Sequence, residues 1–120
     1  MAPRTKIEAD RGDTNVYDLD VSVPVDAVAD KVWFTCKRRY SDSDVDAVVK
    51  KGLNVAGLSG IVVTDGPNGK FQVQIGRSEL ESVEDFALLY DCQFYDASQN
   101  AYFTVQSGSM VLSGQVTRSS

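Results

Sequence analysis

The sequence predicts an all-β fold with minor α content, an antiparallel β-sandwich of about seven strands with one short helix. Three observations carry this reading. Apolar and polar residues alternate with period two along most of the chain. Turn residues recur roughly every 8–12 positions, the spacing of a sandwich. No stretch shows a helical stripe wide enough to make a layer of its own. The 120 residues suit one domain, taken as 1–120 with short arms at both ends, and a chain of this length buries roughly two thirds of its extended surface.

Each element follows from its residues. Residues 4–9 allow a short strand. Residues 14–23 place Tyr17, Leu19, Val21 and Val23 on one face and Asp18, Asp20 and Ser22 on the other, a half-buried strand. Pro24, which has no N–H for a ladder, ends it. Residues 31–38 alternate Val32, Phe34 and Cys36 with Trp33, Thr35 and Lys37. Ser41-Asp42-Ser43-Asp44, then Val45, Val48 and Val49, then Lys50, Lys51 and Gly52, predict a short helix, with charges matched to its dipole and a glycine stop. Residues 61–64 and 71–75 form a hairpin around Asp65-Gly66-Pro67-Asn68-Gly69. Residues 77–81 read as a single helical turn. Both helical pieces are expected to plug the ends of the sandwich.

The last strands are 86–95, 101–106 and 109–117, the final two split near Gly108. Holding the inward register of these strands, Tyr17, Leu19, Val21, Val32, Phe34, Phe71, Val73, Phe86, Leu88, Tyr90 and Phe94 are expected to form the shared core. The tails, 2–9 and 114–120, carry few large apolar residues. They are expected to gain order only against a neighbouring subunit.

Composition excludes several functions. Twelve Lys and Arg face 17 Asp and Glu, a net charge of −5, which argues against a nucleic-acid partner because phosphate binding rests on clustered cations. The chain has no histidine. Ser-His-Asp and Cys-His nucleophiles, Cys₂His₂ zinc sites and imidazole switches fall with it. No apolar stretch is long enough for a membrane span or a signal peptide, so a membrane partner is not expected. Cys36 and Cys92 are the only cysteines and lie in strand-like runs. They are expected as buried thiols, with a bridge between sheets as the alternative.

Candidate chemistry resolves into ordinary surface. Asp42-x-Asp44-x-Asp46 copies half of a calcium loop, but Ala47 stands where the turn needs glycine and Leu53 where a bidentate Glu belongs. Helix capping explains these aspartates. Asp18 and Asp20, and the acidic run Glu79, Glu81, Glu84 and Asp85, read as solvated faces. Gly57-x-x-Gly60 and Gly66-Pro67-Asn68-Gly69 lack the Lys-Ser/Thr of a phosphate cradle. No catalytic residue, cofactor or metal is expected, and the chain reads as a non-enzyme.

Arg11-Gly12-Asp13 spells an adhesion triplet, yet directly before a strand it reads as a turn with Asp13 bonding the backbone ahead. Extended to Thr14, it opens an ordered series: Arg11-Gly12-Asp13-Thr14, Pro24-Val25-Asp26, the strand 32–37 ending in a lysine, the aspartate-rich 42–49, the turn 60–65, Tyr90-Asp91-Cys92-Gln93 and Val116-Thr117-Arg118. Spread over nearly the whole chain, this series resembles small bacteriophage virion proteins and is similar to the N-terminal immunoglobulin-like domain of phage baseplate upper proteins. Residues 26–30 depart from the usual Asp-Leu-Thr-Gly turn, and the family's C-terminal extension does not follow Ser120 in this sequence.

The resemblance implies an immunoglobulin-like antiparallel β-sandwich with a structural role. The chain is expected in the virion, assembled in the host cytoplasm. Its expected partners are other phage structural proteins and copies of itself, at the tail, baseplate or fibre attachment; a capsid decoration protein on the head lattice is the alternative. The resemblance further implies that first and last strands pair. Arg11, Asp13, Thr14, Thr117 and Arg118 would then meet at one end as a partner contact, unless Asp13 and Arg118 pair inside the monomer.

Overall fold

Period-two alternation becomes two packed sheets in the computed structural model, which describes residues 5–10, 13–39, 47–81, 83–84 and 86–114. Strands β1 (Ile7–Asp10), β2 (Asn15–Asp20), β3 (Lys31–Lys37), β4 (Val49–Leu53), β5 (Ile61–Asp65) and β6 (Lys70–Ile75) precede a one-turn helix, α1 (Arg77–Leu80). The long strands β7 (Ala87–Asp96) and β8 (Ala101–Ser113) follow. One sheet runs β1-β8-β7-β3-β4 and the other β2-β6-β5. Neighbours pair antiparallel except β1 and β8, which run parallel with Asp10 opposite Ser113.

The expected inward register holds for most of the core. Phe34, Phe71, Phe94, Val32 and Val73 are fully buried, with Leu88, Tyr90 and Leu19 close behind, while Tyr17 and Val21 pack partly buried against them. Tyr17, Phe34 and Tyr90 stack in series, centroids 6.3 and 5.7 Å apart. Asp18 and Asp20 face solvent. Cys36 and Cys92 are buried free thiols. They lie on adjacent strands of the same sheet, Cys92 opposite Phe34 and Cys36 opposite Tyr90, so they do not link the sheets.

Five expectations are corrected. First, residues 49–53 are strand: Val49 pairs with Cys36, and the Val48 N–H donates to the Cys36 carbonyl at 2.8 Å. Pairing with β3 and burial of Val49 override the local helical signal. Gly52 is no helix stop; a Cβ there would lie 2.8 Å from that of Leu58. The start of the expected helix, 41–46, lies outside the described residues. Second, β8 runs unbroken through Gly108, and its irregularity is a register shift opposite Cys92 and Gln93. Gly108 (φ 151°) is needed because a Cβ would come 2.3 Å from the Thr5 carbonyl oxygen.

Third, Phe86 is 86% exposed. It precedes β7, and Leu80 and Val83, both buried, fill that end of the core in its place. Fourth, residues 5–9 are tied into the chain's own sheet rather than awaiting a neighbour. Thr5 donates to the Ser107 carbonyl at 2.7 Å, Tyr90 Oη donates to the Thr5 carbonyl at 2.6 Å, and Ala9 is buried. The first predicted strand also stops early, at Asp20. The chain turns at Ser22 (φ 65°), whose N–H donates to Asp20 Oδ1 at 2.7 Å.

Candidate functional site

Three surfaces gather the side chains able to do chemistry. The first is the end where β1 and β8 finish side by side. Asn15 braces the turn there: its Oδ1 accepts the Asp10 N–H at 3.0 Å, and its Nδ2 donates to the carbonyls of Asp10 and Asp13 at 3.0 and 3.2 Å. Sequence reasoning gave Asp13 that role, but a β-turn is closed as well by an Asn that follows it. Asp13 and Thr14 are left exposed. Phe86 stands at the same end, its carbonyl accepting the Leu112 N–H at 2.8 Å. Arg11, Thr117 and Arg118, the other residues assigned to this contact, lie outside the described residues.

The second surface joins the loops at the opposite end through a buried carboxylate. Asp30, 4% exposed, accepts the Asp26 N–H on Oδ2 at 2.8 Å and the Ala97 N–H on Oδ1 at 2.9 Å. Its carbonyl accepts Asn54 Nδ2 at 2.8 Å. Asp96, also buried, accepts the N–H and hydroxyl of Ser98. These acids are spent on backbone. Among the described residues no group of three His, Cys, Asp or Glu side chains is placed to hold a metal, and no buried side-chain polar atom lacks a partner.

The third surface is the outer face of the five-stranded sheet. Alternation turns Trp33 and Thr35 of β3, Asp91, Gln93 and Tyr95 of β7, and Tyr102 and Thr104 of β8 away from the core. All of these except Tyr95 line a trough of about 550 Å³ that includes the rings of Trp33 and Tyr102. The two rings lie 6.2 Å apart, and Tyr95 supports Tyr102 from 4.7 Å. Tyr95 Oη donates to Asn100 Oδ1 at 2.8 Å, which fixes the supporting ring. On the floor, Gln93 Nε2 donates to both Asp91 carboxylate oxygens at 3.1 and 3.2 Å and to Thr104 Oγ1 at 3.0 Å.

Sequence reasoning missed this trough. Its signal was present: Trp33 and Tyr95 are aromatics at positions that alternation assigns to the solvent face. In the acidic run Glu79, Glu81, Glu84 and Asp85 the solvated-face reading fails at Glu79, while Glu84 is exposed and Asp85 lies outside the described residues. Glu79 accepts Lys51 Nζ and the Gly76 N–H, each at 2.6 Å, and so pins α1 to the edge strand β4. Glu81 pairs with Arg77 at 3.5 Å.

No protein-family model matches the sequence, and no curated protein does. Among solved structures, the chain is similar to the NK cell receptor Nkp44, a triggering partner in natural cytotoxicity, with a TM-score of 0.56 and 17% identity. The match covers 93% of this chain and 100% of that one. At that identity the likeness speaks for architecture alone. It fits the two packed sheets found here, five strands against three. The fold is an immunoglobulin-like β-sandwich.

Proposed function

We propose that this chain is a non-enzymatic structural protein of a bacteriophage virion, docking onto a larger assembly at the tail, baseplate or fibre attachment. The observation that carries the reading is the ordered motif series. Its described pieces fall on strands and joints of the sandwich (β3, β5, β7 and the turn at Pro24).

The geometry supplies an end to place it by. Parallel pairing of β1 with β8 ends there, at Asp10 and Ser113, Asp13 and Thr14 are exposed in the chain that follows β1, and Phe86 adds an exposed aromatic anchor of the kind that dominates protein contacts. The test is to make Phe86→Ser, Asp13→Ala, Arg11→Ala and Arg118→Ala, then measure thermal unfolding and incorporation into particles. Lost incorporation at an unchanged melting temperature is expected. Normal incorporation by all four variants overturns the docking end. A copy number matching the head lattice, rather than a small symmetric multiple, would move the protein from tail to capsid.

A further inference from the structure

We propose that the outer trough of the five-stranded sheet binds a neutral oligosaccharide, stacked on Tyr102 and Trp33 and hydrogen-bonded to Asp91, Gln93 and Thr104. This inference uses a different surface from the docking end and stands apart from the virion reading.

The walls come first. Tyr102 is 68% exposed yet held from behind by Tyr95, whose own hydroxyl is anchored. A rigid ring left in water presents an apolar face that loses little entropy on binding. Sugar rings offer the matching partner: one face of polarised C–H groups, which contact an aromatic face favourably, surrounded by hydroxyls. Trp33, its ring 6.2 Å from that of Tyr102, extends this aromatic platform.

The floor selects for hydroxyls. Gln93 Nε2 is directed to Asp91 and Thr104. An ionised carboxylate has about four lone-pair sites and a hydroxyl that accepts still has its own hydrogen to give. Toward a ligand the floor therefore offers mainly acceptors, with the Thr104 O–H as donor. A ligand dense in O–H groups fits that set.

Charge and shape narrow the class further. Among the described residues Lys37 and Asp91 are the only charged ones lining the trough, one of each sign, and the chain as a whole carries −5. A sulfated or phosphorylated polymer gains nothing there. The surface is concave, its volume within the roughly 300–1,000 Å³ of ligand sites, and among the described residues Leu89 is its only aliphatic lining residue. A protein partner would need a larger apolar centre.

Trp33 is the only tryptophan in the chain, so its fluorescence reports the site directly. The full chain is titrated with maltotetraose, cellotetraose, mannotetraose and chitotetraose, and with a sulfated heparin tetrasaccharide as the charged counterpart. Saturable change in Trp33 emission with at least one neutral tetrasaccharide is expected. Tyr102→Ala should weaken it by roughly tenfold, the scale of one aromatic contact, and Tyr102→Phe by no more than about threefold. Melting temperatures measured alongside confirm that both variants are folded. No saturable change with any neutral tetrasaccharide overturns the proposal, as does binding indifferent to Tyr102→Ala, preference for the heparin fragment, or a protein ligand that alone shields Trp33.

Discussion

The two faces of β3, β7 and β8 use aromatic residues in opposite ways. On the inner face Phe34, Tyr90 and Phe94 are essentially without solvent contact, and Phe34 stacks between Tyr90 and Tyr17 of the opposing sheet. One position along the same strands, Trp33, Tyr95 and Tyr102 gather on the outer face, and the last of these keeps 68% of its surface in water. Parity alone separates the two groups. The inner rings hold the sandwich together through burial. The outer rings add little to folding and leave apolar area in solvent, which marks a surface built for contact.

Truncation on either side is the strongest way to break this contrast. Phe34→Ala removes a fully buried ring from between Tyr17 and Tyr90 and should cost about 3–5 kcal/mol by cavity formation. That is a large share of the roughly 5–15 kcal/mol that holds a domain folded. Tyr102→Ala forfeits mainly its ring pair with Tyr95, worth about 0.5–1.5 kcal/mol. Urea titration of both variants reads the difference, and similar losses would show that the outer cluster is part of the core.

Buried polarity sharpens the comparison at a smaller scale. Asp30 holds two backbone N–H groups from segments far apart in sequence, those of Asp26 and Ala97. Asp30→Ala strands both and should cost about 1.5–3 kcal/mol, the range of hydrogen bonds to a charged group. The exposed Asp91→Ala, on the outer face, should stay within about 0.5 kcal/mol. Denaturant unfolding measures the loss, and faster amide exchange at Ala97 locates it. An unchanged midpoint for Asp30→Ala would mean that the loops are held by their backbone alone.

How much of this was legible in the sequence depends on the range of the interaction involved. Strand registers at 17–23, 31–38 and 86–95 follow from alternation because a one-residue slip would bury Asp18, Asp20 or Asp91. The segment after Ser41 misled because Val48, Val49 and the lysines suit a helix locally, whereas the partner that claims Val49 is Cys36 on another strand. Gly108 read as a break because its reason, the Thr5 carbonyl, lies more than a hundred residues away. Phe86 obeys the inward parity yet stands beyond the strand, where Leu80 and Val83 already occupy the core. The trough was visible only in part: Trp33 and Tyr95 sit at outward positions, but alternation gives no warning that Tyr102 joins them. Arg11, Thr117 and Arg118 lie outside the described residues.

The inner face should also show itself through alkaline pH, the smallest effect near neutrality. Burial pushes the Tyr17 hydroxyl from 10.0 up to about 12, helped by the neighbouring Cys36 and Tyr90. Burial likewise raises Tyr90, against a hydrogen bond from Gln106 that lowers it, and holds the Cys36 and Cys92 thiols well above their ordinary 9.0. Each group is neutral when protonated and is harder to ionise folded than unfolded. Its contribution is therefore complete below the unfolded value and declines as pH rises, because the unfolded chain releases its protons first. Stability should hold level to about pH 8.5 and fall from about 9 as unfolded thiols ionise. It should fall further from about 10 as unfolded tyrosines follow, and the Tyr17 share is gone by about 12. Urea midpoints measured between these values give the curve. In the double variant Cys36→Ala with Cys92→Ala, the fall should begin near 10 instead of 9, and in the native protein neither thiol should react with iodoacetamide until the chain is unfolded. An onset unmoved by the double variant would place the alkaline sensitivity elsewhere than on the inner face.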